Sequence, residues 1–145
     1  MIYWDTSCVV KLYATEADSE GLLALATETD EALCCSAVLT AELFHALRHK
    51  ELRKEIRPGA AGVLSLAFEQ DAERGRFVLL PVGRDVLLAA VEVAESCLNR
   101  TPPILVRTLD GIHLATARLL RVSRMVTTDD RMRAAAIQLG IRTSP

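Results

Sequence analysis

Met1-Ile2-Tyr3-Trp4-Asp5-Thr6-Ser7 is the stretch from which the rest of the chain is read. Ile2 to Trp4 are β-branched or aromatic, which suits a short strand. That strand stops at an acid, and Thr6 or Ser7 is a natural cap for a helix running to about Tyr13. A strand that hands over directly to a helix is the opening of a βαβ unit, and an acid at the junction sits where parallel sheets hold their ligands.

Working outward, the same alternation recurs. Leu22, Leu23, Leu25 and Ala26 mark a helix within Glu16 to Thr29, and Leu33 to Val38 reads as a buried strand. Leu39, Leu43, Ala46 and Leu47 follow helical spacing in a segment ending near Lys54. Pro58-Gly59 opens a helix that stops near Gly75, and Phe77 to Val82 reads as a strand. Asp85 is the expected cap of a helix from Val86 to Leu98, and Thr108 that of a helix from Leu109 to Leu120. Met125 to Thr128 reads as a strand, Asp130 to Leu139 as a helix ending at Gly140, and Ile141 to Thr143 as a last short strand. Short strands separated by helices predict an α/β fold with a parallel sheet. No repeat or linker interrupts the pattern, Thr101-Pro102-Pro103 reads as an internal loop, and residues 1–145 are expected to form one domain.

Composition narrows the function. Half of the 145 residues are apolar and a quarter are charged, as in ordinary globular proteins, and the net charge is −2. A protein that coats nucleic acid non-specifically is strongly basic, so nucleic-acid contact here should be local. The apolar start reaches Asp5 without a basic segment, so no signal peptide is expected. No apolar run approaches the roughly 18 residues of a membrane span. Cys8, Cys34, Cys35 and Cys97 lie in apolar segments without zinc-ligand spacing, and read as reduced, buried thiols of a cytoplasmic protein.

Three acids follow apolar strand-like runs: Asp5, Glu42 and Asp129. Asp110 lies in the first turn of its helix. A parallel sheet would bring strand ends and helix starts to one edge, so these four distant residues are expected to converge. Converging carboxylates repel one another, and a divalent cation relieves that cost. Mg²⁺ and Mn²⁺ prefer oxygen ligands and act on phosphodiesters. Taken singly, each acid also suits an ordinary helix start, where a carboxylate complements the dipole.

In four stretches, taken in order, the chain resembles the PIN-domain family, and VapC-type toxins of toxin–antitoxin pairs in particular. They are Met1 to Ser7, Leu39-Thr-Ala-Glu42-Leu-Phe-His-Ala-Leu47, Arg107-Thr-Leu-Asp110-Gly-Ile-His-Leu-Ala-Thr116, and Val126-Thr-Thr-Asp129-Asp-Arg-Met132. The resemblance implies a three-layer α/β/α fold with a central, mainly parallel sheet. It implies a Mg²⁺- or Mn²⁺-dependent endoribonuclease that hydrolyses RNA phosphodiester bonds, with a protein antitoxin and a homodimeric state. Carried over, Asp5, Glu42, Asp110 and Asp129 are the catalytic, metal-binding acids, and Ser7 and Thr127 the supporting hydroxyls. Asp129 is preferred to its neighbour Asp130 because Met132 then falls where the family has an apolar residue.

The remaining features read as follows. His113, three positions past Asp110, is expected to pack or bond beneath the site, and Trp4 and Phe44 to belong to the core. Lys50, Arg53, Lys54 and Arg57 share one helical face, suited either to a phosphate backbone or to pairing with Glu51 and Glu55. Arg118, Arg121, Arg124, Arg131 and Arg133 form a second, equally open set. The alternatives are an RNA-processing nuclease without an antitoxin and an inactive PIN-like binding module. A phospho-acceptor domain is disfavoured because no Lys follows Lys54, and an Asp-x-Asp phosphatase because Ser7 stands where the second acid would be.

Overall fold

The computed structural model describes residues 1–144. In chain order the elements are β1 (Ile2–Trp4), α1 (Thr6–Tyr13), α2 (Ser19–Glu28), β2 (Leu33–Ser36), α3 (Leu39–Leu52) and α4 (Ala60–Glu73). They continue with β3 (Phe77–Leu80), α5 (Arg84–Leu98), α6 (Thr108–Leu119), β4 (Arg124–Val126), α7 (Asp130–Gln138) and β5 (Thr143–Ser144). All four strand pairings are parallel, in the order β3-β2-β1-β4-β5.

The pleat explains the layers. Ile2 and Trp4 point to one face and Tyr3 to the other, and Cys35 and Cys34 divide in the same way. Ile2, Trp4, Cys35 and Val126 pack with Leu39, Leu43 and Phe68, so α1 to α4 cover the first face. Tyr3, Cys34 and Met125 pack with Val86, Val93, Leu114 and Ala135, so α5 to α7 cover the second. The sheet is buried on both sides, which is why its strands read as continuous apolar runs. This is the expected three-layer α/β/α arrangement. The four cysteines are buried and unbridged.

Element ends depart from expectation. β2 stops at Ser36 and β4 at Val126, so Val38 and Thr127 lie beyond the ladder. β5 is Thr143–Ser144, not Ile141 to Thr143. Asp5, not Thr6 or Ser7, stands at the N-cap of α1, and Gly83 and Arg107 precede α5 and α6 where Asp85 and Thr108 were expected as caps. Phe44 is 44% exposed and does not join the core, whereas Trp4 is fully buried.

The order β3-β2-β1-β4-β5 reverses direction between β1 and β4. At such a switch point the flanking connections leave on opposite faces and open a crevice at the carboxyl ends of the strands. Asp5 follows β1 and Thr127 follows β4, so these two residues sit at the head of that crevice.

Candidate functional site

The site begins with Asp5, which is 5% exposed. Its backbone N–H donates to Val126 O (3.1 Å), extending the β1–β4 ladder by one residue. Thr127 Oγ1 donates to Asp5 Oδ2 (2.7 Å) and Ser7 Oγ donates to the same oxygen (2.8 Å). Both predicted supporting hydroxyls therefore bear on one carboxylate oxygen. Thr127 Oγ1 also accepts from Asp129 N–H (3.1 Å), and Ser7 Oγ accepts from Thr128 N–H (3.2 Å). These bonds fasten β1, α1 and the β4–α7 turn together. Asp5 Oδ1 takes no hydrogen bond from the described residues.

Asp129 is the N-cap of α7. Its Oδ1 accepts from Arg131 N–H (2.8 Å) and Met132 N–H (3.1 Å), which leaves Oδ2 facing Arg107 Nη2 at 3.5 Å. Asp130, the alternative in the doublet, is exposed. Asp110, 8% exposed, accepts at Oδ2 from the Arg107 N–H (3.3 Å) and Nε (2.9 Å), and at Oδ1 from Arg107 Nη2 (3.3 Å). Arg107 thus spans two of the four predicted acids. Sequence reasoning passed over it, although it opens the quoted stretch ending at Thr116 and its spacing of three from Asp110 was a usable signal.

Glu42 lies in the first turn of α3. Its Oε2 takes Thr6 Oγ1 (2.6 Å) and His113 Nε2 (2.6 Å). His113 is 1% exposed, and its Nδ1 lies 2.7 Å from Tyr3 Oη, which in turn accepts from Ser36 N–H (3.0 Å). The Glu42 carboxylate only accepts, so Nε2–H donates to it; with His113 in that neutral tautomer, Nδ1 accepts from Tyr3 Oη. Burial opposes the charge on Glu42. The bonds from His113 and Thr6 and the field of Arg107 outweigh it and hold the pKa below the ordinary carboxylate value. His113 is thus buried and bonds to Glu42 from beneath, the placement expected of it.

All four acids stand at the N-terminus of a helix: α1, α3, α6 and α7. The partial positive ends of those helices offset part of the mutual repulsion of the carboxylates. Glu42, Arg107, Thr108, Leu109 and Asp110 line an open cleft of about 350 Å³ at this edge. Among the described residues no three carboxylate, imidazole or thiol side chains close on a single point. The acids share an edge without forming a finished cage.

Of the first basic set only Lys50 lies within α3, which ends at Leu52, so the four do not share a helical face; Lys50 and Arg53 are paired with acids. Lys50 contacts Glu16 (2.5 Å) and Glu55 (2.9 Å), Arg53 contacts Glu55 (2.6 Å), and Arg48 contacts Glu51. In the second set Arg118 lies 3.7 Å from Glu92, Arg131 3.9 Å from Asp129, and Arg133 donates to Thr127 O (3.0 Å). Among the described residues no helix is long and apolar enough to cross a membrane.

The PIN domain model matches residues 2–138, and the chain belongs to the PIN-domain family. It is 38% identical over 142 residues to ribonuclease VapC46 of Mycobacterium tuberculosis, covering 97% of this chain and 93% of that protein. Among solved structures, FitAcB from Neisseria gonorrhoeae superposes with a TM-score of 0.76 at 19% identity, over 100% of this chain and 97% of that one. A toxin–antitoxin complex from Klebsiella pneumoniae superposes with a TM-score of 0.68 at 13% identity, over 100% and 97%. These superpositions bear out the fold read from the sequence.

Proposed function

We propose that this chain is a Mg²⁺- or Mn²⁺-dependent endoribonuclease, the toxin of a toxin–antitoxin pair, with Asp5, Glu42, Asp110 and Asp129 as its metal-binding acids. One observation carries the reading. Each of the four carboxylates has one oxygen pinned by the fold: Asp5 by Ser7 and Thr127, Glu42 by Thr6 and His113, Asp129 by two backbone N–H groups, and Asp110 by the Arg107 N–H. The second oxygens of Asp5 and Glu42 take no hydrogen bond from the described residues, and those of Asp110 and Asp129 meet only the exposed arginine side chains of Arg107 and Arg131.

That donor set fits a hard divalent cation. Every donor is a carboxylate oxygen, and Mg²⁺ keeps several waters, so it needs no closed protein cage. Held by these carboxylates, such a cation would supply Lewis-acid chemistry to a phosphodiester and its attacking water. The chain's own residues do the positioning. Ser7 and Thr127 set the rotation of the Asp5 carboxylate, and the Ser36–Tyr3–His113 chain sets that of Glu42. Hydrogen-bonded partners of this kind commonly matter 10–100-fold to metal affinity or activity.

The ribonuclease activity is supported by the name of the relative that shares 38% identity, and an antitoxin partner by the toxin–antitoxin complex of the same fold. Leu87, Leu88 and Val91 on α5 are exposed and supply an apolar surface for a homodimer. The buried, unbridged thiols accord with a reducing cytoplasm.

The experiment is cleavage of structured RNA by purified chain in EDTA, Mg²⁺ or Mn²⁺, beside Asp5→Asn. Cleavage that requires the metal and is lost in the variant supports the reading. Cleavage that persists in EDTA or in the variant removes it.

A further inference from the structure

Arg107 Nη2 lies 3.3 Å from Asp110 Oδ1 and 3.5 Å from Asp129 Oδ2. These are the two oxygens that the backbone leaves unpinned. Asp110 Oδ2 is tied to the Arg107 N–H, and Asp129 Oδ1 to Arg131 N–H and Met132 N–H. A single cationic nitrogen therefore stands between the backbone-free oxygens of two carboxylates from different helices.

Two further facts make the contact a removable one. The Arg107 side chain is 63% exposed, and ion pairs in that setting hold weakly because water and salt screen them. Asp110 keeps its bond to the Arg107 main chain when the guanidinium leaves, so departure does not unlock the carboxylate. Arginine stays charged at every relevant pH, so proton loss offers no other route of release.

We propose that Arg107 is a displaceable internal counter-ion. Its guanidinium holds Asp110 and Asp129 together without metal, and competes with a divalent cation for the same two oxygens. This rests on the reading of the acids as metal ligands and adds to it. The metal affinity becomes lower than the carboxylates alone would give, and the helices bearing the acids stay assembled before metal arrives. The coupling is reciprocal: whatever Arg107 takes from the metal, the metal takes from Arg107.

The test is calorimetric titration of the full chain with Mn²⁺ alone, together with thermal unfolding in EDTA and in saturating Mn²⁺. The variants are Arg107→Gln, Arg107→Lys and Arg131→Gln. Arg131 reaches Asp129 Oδ2 only at 3.9 Å, so its variant makes the same change in charge without removing the bridge. Expected is a Kd for Mn²⁺ about tenfold lower in Arg107→Gln, within the usual range of coupling between sites. Its unfolding midpoint should be lower than wild type in EDTA and close to it in Mn²⁺. Arg107→Lys, which keeps the charge but not the planar fork, should fall between, and it serves if the glutamine variant does not fold. Arg131→Gln should change the Kd by less than Arg107→Gln. An unchanged or weaker Kd in Arg107→Gln, or an equal effect from Arg131→Gln, overturns the proposal and leaves the metal reading intact. Absence of Mn²⁺ binding in every variant and in wild type overturns both.

Discussion

The Thr127 hydroxyl joins two parts of the site, donating to Asp5 Oδ2 and accepting from Asp129 N–H. Thr127 is fully buried, so Thr127→Val keeps the shape and leaves both partners short of a bond. The expected loss is about 1–3 kcal/mol of stability, by the cost of orphaned buried polar groups. RNA cleavage should fall about tenfold or more, as for other groups that orient metal ligands. Urea unfolding and initial rates measure the two effects, and unchanged values for both would contradict the role. Tyr3→Phe acts at a distance through the same logic. It removes the acceptor of Ser36 N–H and the donor to His113, and the expected cost is again about 1–3 kcal/mol. The four acids were legible because each follows an apolar run or opens a helix. Thr6 and Tyr3 were not, because their partners are brought together only by the sheet: Thr6 and Glu42 are 36 residues apart, and Tyr3 and His113 are 110. For Arg107 the contact with Asp110 is local, and only the one with Asp129 needed the fold.

At the level of elements, α3 shows why charge patterns need a structure. Lys50, Arg53, Lys54 and Arg57 recur at helical spacing, as a phosphate-tracking face would. The acids that neutralise Lys50 are Glu55 beyond the helix end and Glu16 from the α1–α2 connection. Spacing along one helix cannot reveal Glu16. Lys50→Ala is expected to lower the unfolding midpoint and to leave RNA affinity close to wild type, read by fluorescence anisotropy on Asp5→Asn. A large loss of affinity with unchanged stability would restore the phosphate-tracking role. Strand and helix order was readable throughout, but ends were not, since the cap at Asp5 and the stop at Val126 are set by pairing across the sheet. The thiols give a second check on the elements. Burial pushes Cys8 and Cys34 up to about 11, so both stay protonated at neutral pH. The folded protein should react slowly with a disulfide reagent at pH 7.5, and release all four thiols at once in denaturant. Fast reaction in the native state would contradict the packing of β2 and α1.

At the scale of the whole molecule, the acid limb of stability follows from the carboxylates. Glu42 is depressed against the burial that opposes its charge. Glu55 falls to about 2, led by its bond from Arg53, and Glu51 and Glu31 are lowered by their own hydrogen bonds. A group with a depressed folded pKa contributes stability that is complete above its unfolded value, 4.5 for these glutamates, and is lost as pH falls toward the folded one. The urea midpoint should therefore be level from pH 7 to about 5 and drop below about 4.5. A midpoint that rises on acidification would contradict this assignment.

The parallel sheet also determines why the four acids share one edge. Order β3-β2-β1-β4-β5 sets Asp5 and Thr127 side by side at the reversal, and α1, α3, α6 and α7 begin on that edge. The alternation of strands and helices made this arrangement readable, because βαβ units imply a common edge for strand ends. Whether this edge binds a divalent metal is decided by anomalous diffraction from a crystal of the wild-type chain grown with Mn²⁺. An anomalous peak is expected in contact with Asp5 and at least one of Asp110, Asp129 and Glu42, absent from Asp5→Asn. Mn²⁺ bound elsewhere, or full Mn²⁺ occupancy retained in Asp5→Asn, would contradict the metal reading.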